Sequence, residues 1–199
     1  MRRIAVAALT VLGLVLVPTS GALAKPSGFT LVQNATLVQP GNNSATAAEV
    51  SSTGDPFTWG AVQFAIPPKL KLRQLNDLTT DYKFGVGSCW SGSPRFEAWV
   101  SNGGAPQKIF FYIGPYPNYT GCPSGVYANT GNLAAPTSLI DDSHLPGGTF
   151  YDAYSNAQAK YGNYVVTAVY LDADGGPSGD QTVDFDNTQV DNQLVAYEG

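Results

Sequence analysis

Arg95-Phe96-Glu97-Ala98-Trp99-Val100-Ser101 alternates between two kinds of side chain, residue by residue. A strand turns successive side chains to opposite faces. Phe96, Ala98 and Val100 therefore share one face, and Arg95, Glu97 and Trp99 share the other. The segment reads as a β-strand with one apolar side and one mixed polar and aromatic side.

Residues 58–67 follow the same rule, with Val62, Phe64 and Ile66 on one face, and Tyr82, Phe84 and Val86 repeat it across Lys83. Residues 108–113 and 164–171 are nearly unbroken apolar runs, expected as central strands covered on both faces. One helix is expected over 150–161, with Thr149 as its cap, Asp152 as a capping-box partner and Gly162 as its stop. Gly41-Asn42-Asn43, Asn102-Gly103-Gly104, Pro146-Gly147-Gly148 and Gly175-Gly176-Pro177 supply turns. Short strands, frequent turns and one helix predict a mainly β protein: an antiparallel β-sandwich of jelly-roll type, with a barrel as the competing arrangement.

The N-terminus has its own logic. Met1-Arg2-Arg3, an apolar run from Ile4 to Val17, and Ala22-Leu23-Ala24 match a secretory signal peptide over 1–24. The run is shorter than the roughly 20 apolar residues of a membrane-spanning helix. Removing those 24 residues from the 199 leaves 175, a usual size for one domain over 25–199. The expected protein is secreted and extracellular, with no stable membrane insertion of the mature chain.

Composition excludes some partners. Loss of Arg2 and Arg3 takes the formal charge from −5 to −7, and an acidic surface repels phosphate backbones, so no nucleic-acid partner is expected. Charged residues make up 13% of the chain, against about 25% in an average domain. Aromatics, at 12%, supply a core and argue against disorder.

Cys89 and Cys122 are expected to form a disulfide in an oxidising compartment. Closing that 33-residue loop is worth roughly 3–4 kcal/mol by chain entropy. Two cysteines and the single His144 do not make a zinc site. Trp90, beside Cys89, is expected to pack on the bridge, and His144 to sit in a loop making one structural hydrogen bond.

Three constellations carry possible chemistry. Arg95, Glu97 and Trp99 on one strand face form a candidate sugar platform, in which the indole stacks on C–H groups and the charges bond hydroxyls. The competing reading is a covered face holding an ion pair and a packed Trp. Asp172, Asp174, Asp184 and Asp186 are candidate calcium ligands, because hard cations take six to eight oxygens and Asp184 and Asp186 would repel each other unaided. The competing reading is a solvated acidic hairpin. Hydrolysis has weak support: no nucleophile elbow is present, and Glu49, Glu97 and Glu198 are the only glutamates.

The residues Leu75-x-x-Leu78-x-x-Asp81-Tyr82, Ser88-Cys89 and Gly92-Ser93-Pro94-Arg95-Phe96 resemble a pattern recurring in secreted bacterial and fungal β-sandwich proteins. That resemblance brings no activity. Val183-Asp184-Phe185-Asp186-Asn187, after a Gly-rich turn, resembles the last hairpin of jelly-roll carbohydrate-binding modules. What this second resemblance implies is a non-catalytic binding module for carbohydrate or cell-wall polymer. A structural surface-interaction protein and a small polysaccharide hydrolase are the alternatives.

Overall fold

The computed structural model describes residues 28–198, so the signal peptide expected over 1–24 lies outside the described residues. The strands are β1 (Phe29–Gln33), β2 (Ala35–Val38), β3 (Ala47–Ser52), β4 (Trp59–Phe64), β5 (Leu78–Val86), β6 (Arg95–Ser101) and β7 (Gln107–Tyr112). They continue as β8 (Ala128–Asn129), β9 (Leu139–Ile140), β10 (Asp152–Ala153), β11 (Val165–Asp174), β12 (Gln181–Val190) and β13 (Gln193–Val195), with one α-helix, α1 (Tyr154–Tyr161).

Two antiparallel sheets stack as a jelly-roll-like sandwich. One has the order β1-β4-β11-β6-β7, and the other runs β2-β3-β12-β5-β8 with β13 beside β12. The alternating residues meet between them: Val62, Phe64, Phe96, Ala98, Val100 and Leu171 face Ala48, Val50, Leu78, Tyr82, Val183 and Phe185, all buried in one cluster. Burial of each large side chain contributes about 1.5–3 kcal/mol, so this shared layer is what holds the sheets together. Cys89 and Cys122 are bonded, with Cα atoms 5.7 Å apart, within the usual range for a disulfide.

Two expectations are corrected. The helix starts at Tyr154 rather than 150, with Ala153 as a cap that makes no side-chain bond. Asp152 and Ala153 instead pair with Ile140 and Leu139, and Tyr151 takes a left-handed φ of 60° that no helix contains. Thr149 gives its N–H to Asp142 Oδ1 at 2.6 Å, and the Asp152 carboxylate accepts from Asn156 and Lys160. The other correction concerns β7, which is the end strand of its sheet rather than a central one. Its outward apolar residues are explained by neighbours instead: Phe110 packs edge-on against His144 at 5.1 Å and Tyr112 meets Tyr151 at 6.3 Å.

Candidate functional site

β11 lies between β4 and β6, and this order assembles the site. Register pairs Asp172 with both Ala61 and Arg95, Tyr170 with Glu97, and Asp174 with Trp59. Because the inward residues are committed to the core, the outward rows lie side by side. They line a concave pocket of about 380 Å³, with walls of Trp59, Trp99, Tyr170 and Lys108 around Arg95, Glu97, Asp172 and Asp174. The three platform residues are thus brought together on one face.

Arg95 organises the floor. Its Nη2 lies 2.9 Å from Glu97 Oε1, 2.7 Å from Asp174 Oδ2 and 3.3 Å from Asp172 Oδ2, and its Nη1 donates to the Gly92 carbonyl at 3.2 Å. The guanidinium also rests 4.6 Å from the centre of the Phe110 ring. Burial works against its charge, but Asp172 and Glu97 outweigh that and raise its pKa. Glu97 binds Lys108 at 3.1 Å through Oε2, and the same oxygen accepts Trp99 Nε1 at 3.1 Å. Burial would raise the Glu97 carboxyl, yet Arg95 and Lys108 hold it below its ordinary value.

Asp172 differs. It is 6% exposed, and its Oδ1 is buried with no hydrogen-bond partner. Burial pushes its carboxyl up to about 7 despite the opposing pull of Arg95. A buried acceptor without a donor costs about 1–3 kcal/mol. Asp172 lines the pocket, but this oxygen is itself covered by the protein.

The indole of Trp99 is held in place rather than loose. Its nitrogen is tied to Glu97, its ring lies 5.8 Å from Tyr170 centre to centre, and Lys108 Nζ stands 5.1 Å from its centre. A ring already ordered loses little entropy when a ligand stacks on it.

The four aspartates expected as calcium ligands do not gather into one cage. Asp172 and Asp174 belong to this pocket, whereas Asp184 and Asp186 lie on the other sheet. Asp184 pairs with Lys83 at 3.2 Å, and Asp186 accepts from Asn42 N at 2.6 Å, Asn187 N at 2.7 Å and the Ser44 hydroxyl. Those partners remove the like-charge repulsion that had suggested a cation. Among the described residues no group of three or more His, Cys, Asp or Glu side chains is placed to hold a metal ion. Trp90 is 68% exposed instead of packed on the disulfide, and Ser91 (φ 49°) and Gly92 (φ 82°) follow it in a left-handed turn.

Sequence reasoning missed Trp59, Lys108 and Tyr170 as pocket residues. The signal was present in Tyr170-x-Asp172-x-Asp174, a polar and aromatic row at strand spacing that begins inside the run 164–171 read as covered on both faces and continues past its end.

No family model matches the chain, and no curated protein matches it. Among solved structures, it is similar to the family 11 carbohydrate-binding module of the cellulosomal cellulase Lic26A-Cel5E of Clostridium thermocellum. That likeness has a TM-score of 0.49 and 12% identity, over 85% of this chain and 83% of that one. It is also similar to an exo-beta-agarase, with a TM-score of 0.41 and 11% identity, over 85% of this chain and 24% of that one.

Proposed function

We propose that the chain is an exported, non-catalytic domain that binds carbohydrate in the pocket around Arg95, Glu97 and Trp99. One observation carries the reading: a pre-ordered indole, Trp99, shares one cavity with the charged side chains of Arg95, Glu97, Lys108 and Asp174. The ring face suits the C–H side of a sugar, and the half-exposed Lys108 and Asp174 suit hydroxyls, so apolar and polar recognition lie in one cavity. The signal peptide expected over 1–24 and the Cys89–Cys122 bridge accord with work outside the cytoplasm.

The test is native electrophoresis of the processed protein through gels containing soluble polysaccharides. Retardation in at least one gel is expected. Trp99→Ala should remove it with the circular dichroism spectrum unchanged. Free migration in every gel would overturn the reading, and so would retardation that survives Trp99→Ala.

Hydrolysis has one observation in its favour. Asp172 is pushed up to about 7 while Glu97 in the same pocket is held down, the separation that glycoside hydrolysis asks of its acid and its ionised partner. Release of reducing ends by the wild type, lost in Asp172→Asn, would promote this second reading.

A further inference from the structure

We infer that the binding surface continues from the Trp99 pocket into a second, aromatic cavity, so that the ligand is an extended glycan chain rather than a one- or two-sugar unit. This rests on the carbohydrate reading above. The second cavity, of about 480 Å³, is walled by Trp90, Gly92, Tyr112, Tyr116, Phe150 and Tyr151. Trp90 and Phe150 are 68% and 60% exposed, and Tyr116 and Tyr151 are also exposed. Large exposed aromatics set singly need no explanation, but a contiguous patch of them marks a surface for binding.

The two cavities abut. Arg95, on the floor of the first, is register partner to Tyr112, on the wall of the second. Arg95 Nη1 also bonds the carbonyl of Gly92, which lines the second cavity. A Cβ at Gly92 would stand 2.7 Å from the Tyr112 ring, so glycine there lets the walls close together. Along β6 the outward residues run Trp99, Glu97, Arg95 and then toward Trp90. At about 3.3 Å per residue, the first three alone span roughly 13 Å before the aromatic cavity begins.

The rings of the second cavity support one another. Tyr151 touches Tyr116 at 4.8 Å, Phe150 at 6.0 Å and Tyr112 at 6.3 Å between centres. The loop bearing Tyr116 is pinned where Asn118 donates to the Leu139 carbonyl at 3.0 Å and accepts the Leu139 N–H at 2.9 Å. Tyr112 is fixed through its hydroxyl, which donates to Asp141 Oδ2 at 2.6 Å. Rings held in this way add stacking contacts in line with the first pocket and lose little freedom in doing so.

The experiment uses size-separated partial hydrolysates of mixed-linkage β-glucan, xylan, galactomannan and agarose, each as dimers and as hexamers and longer, applied to the immobilised protein. At least one long fraction is expected to bind about thirtyfold more tightly than its dimer, equal to about 2 kcal/mol. Trp90→Ala combined with Tyr151→Ala should abolish that gain and leave dimer binding as it was. Neither ring belongs to the buried core, so the fold should persist, as circular dichroism would verify. Dimer binding without any gain for longer chains would overturn this inference alone, as would a gain that survives the double substitution. Such survival would instead leave the exposed aromatics free for a protein partner. No retention of any fraction would overturn the carbohydrate reading and this inference together.

Discussion

Asp172 Oδ2 lies 3.3 Å from Arg95 Nη2, while the other oxygen of the same carboxylate is buried and makes no bond. One half of the group is thus tied to the cation and the other half is closed in without a donor. Arg95 bonds Glu97 and Asp174 as well, so a single guanidinium bridges three carboxylates.

Removing that cation should be costly. Arg95→Met would remove the cation that three carboxylates share, and breaking a buried ion pair by removing one partner typically destabilises by about 3–5 kcal/mol. Lys108 forms an ion pair with Glu97 but not with Asp172 or Asp174, so it does not replace the lost contacts. Urea unfolding should show the midpoint falling sharply; a loss under about 1 kcal/mol would mean the network adds nothing to the fold.

Asp172 should also make stability depend on pH. Its folded-state pKa is raised, up to about 7, above the ordinary 3.8. Between those values the native state keeps a proton that the unfolded chain has released, so this residue's contribution is full at low pH and declines as pH rises through the window. Above about 7 the decline stops. The difference in unfolding free energy between wild type and Asp172→Asn, measured from pH 4 to 8, should trace that slope. A difference independent of pH would refute the assignment.

The disulfide should act mainly through the unfolded chain. The paired substitution of Cys89→Ser and Cys122→Ser reopens a loop of 33 residues and should cost roughly 3 kcal/mol. Tyr82 gives its hydroxyl to the Gly121 carbonyl at 2.6 Å, next to the bridge, and should retain the local path of the chain. Thermal melts of the paired variant are expected to shift down with an unchanged β-sheet spectrum. An unchanged melting temperature would show that the link carries no stability.

Chelation should leave the protein unaffected. Asp184 and Asp186 are held by Lys83 and by donors from Asn42, Ser44 and Asn187, while Asp174 and one oxygen of Asp172 lie against Arg95. Melting curves with and without a strong calcium chelator should superimpose. A clear drop with chelator would restore the cation to the account.

Much of the fold was legible because period-two alternation is a local property. Phe96, Ala98 and Val100 announce their shared face without reference to any other strand, and the structure buries all three. The platform residues followed as the complement of that face. What stayed hidden was lateral order. Nothing in 164–171 states that it lies between β4 and β6, yet only that placement sets Tyr170 and Asp172 beside Glu97 and Arg95. The calcium reading failed for the same reason, since nearness along the chain put Asp172 with Asp186 while the topology sends them to different sheets. The helix start was misjudged because pairing of Asp152 and Ala153 with Leu139 and Ile140, a long-range event, overrode a plausible local cap.

The two extremes of the described chain touch: Phe29 meets Tyr197 edge to face at 5.0 Å, and Gln193 reaches back to the Gly28 carbonyl at 3.3 Å. β1 is the far border of its sheet from β7, where the aromatic cavity opens. Cargo joined at either end would therefore hang from one corner of the sandwich, leaving that cavity facing outward like the working edge of a tool held by its handle.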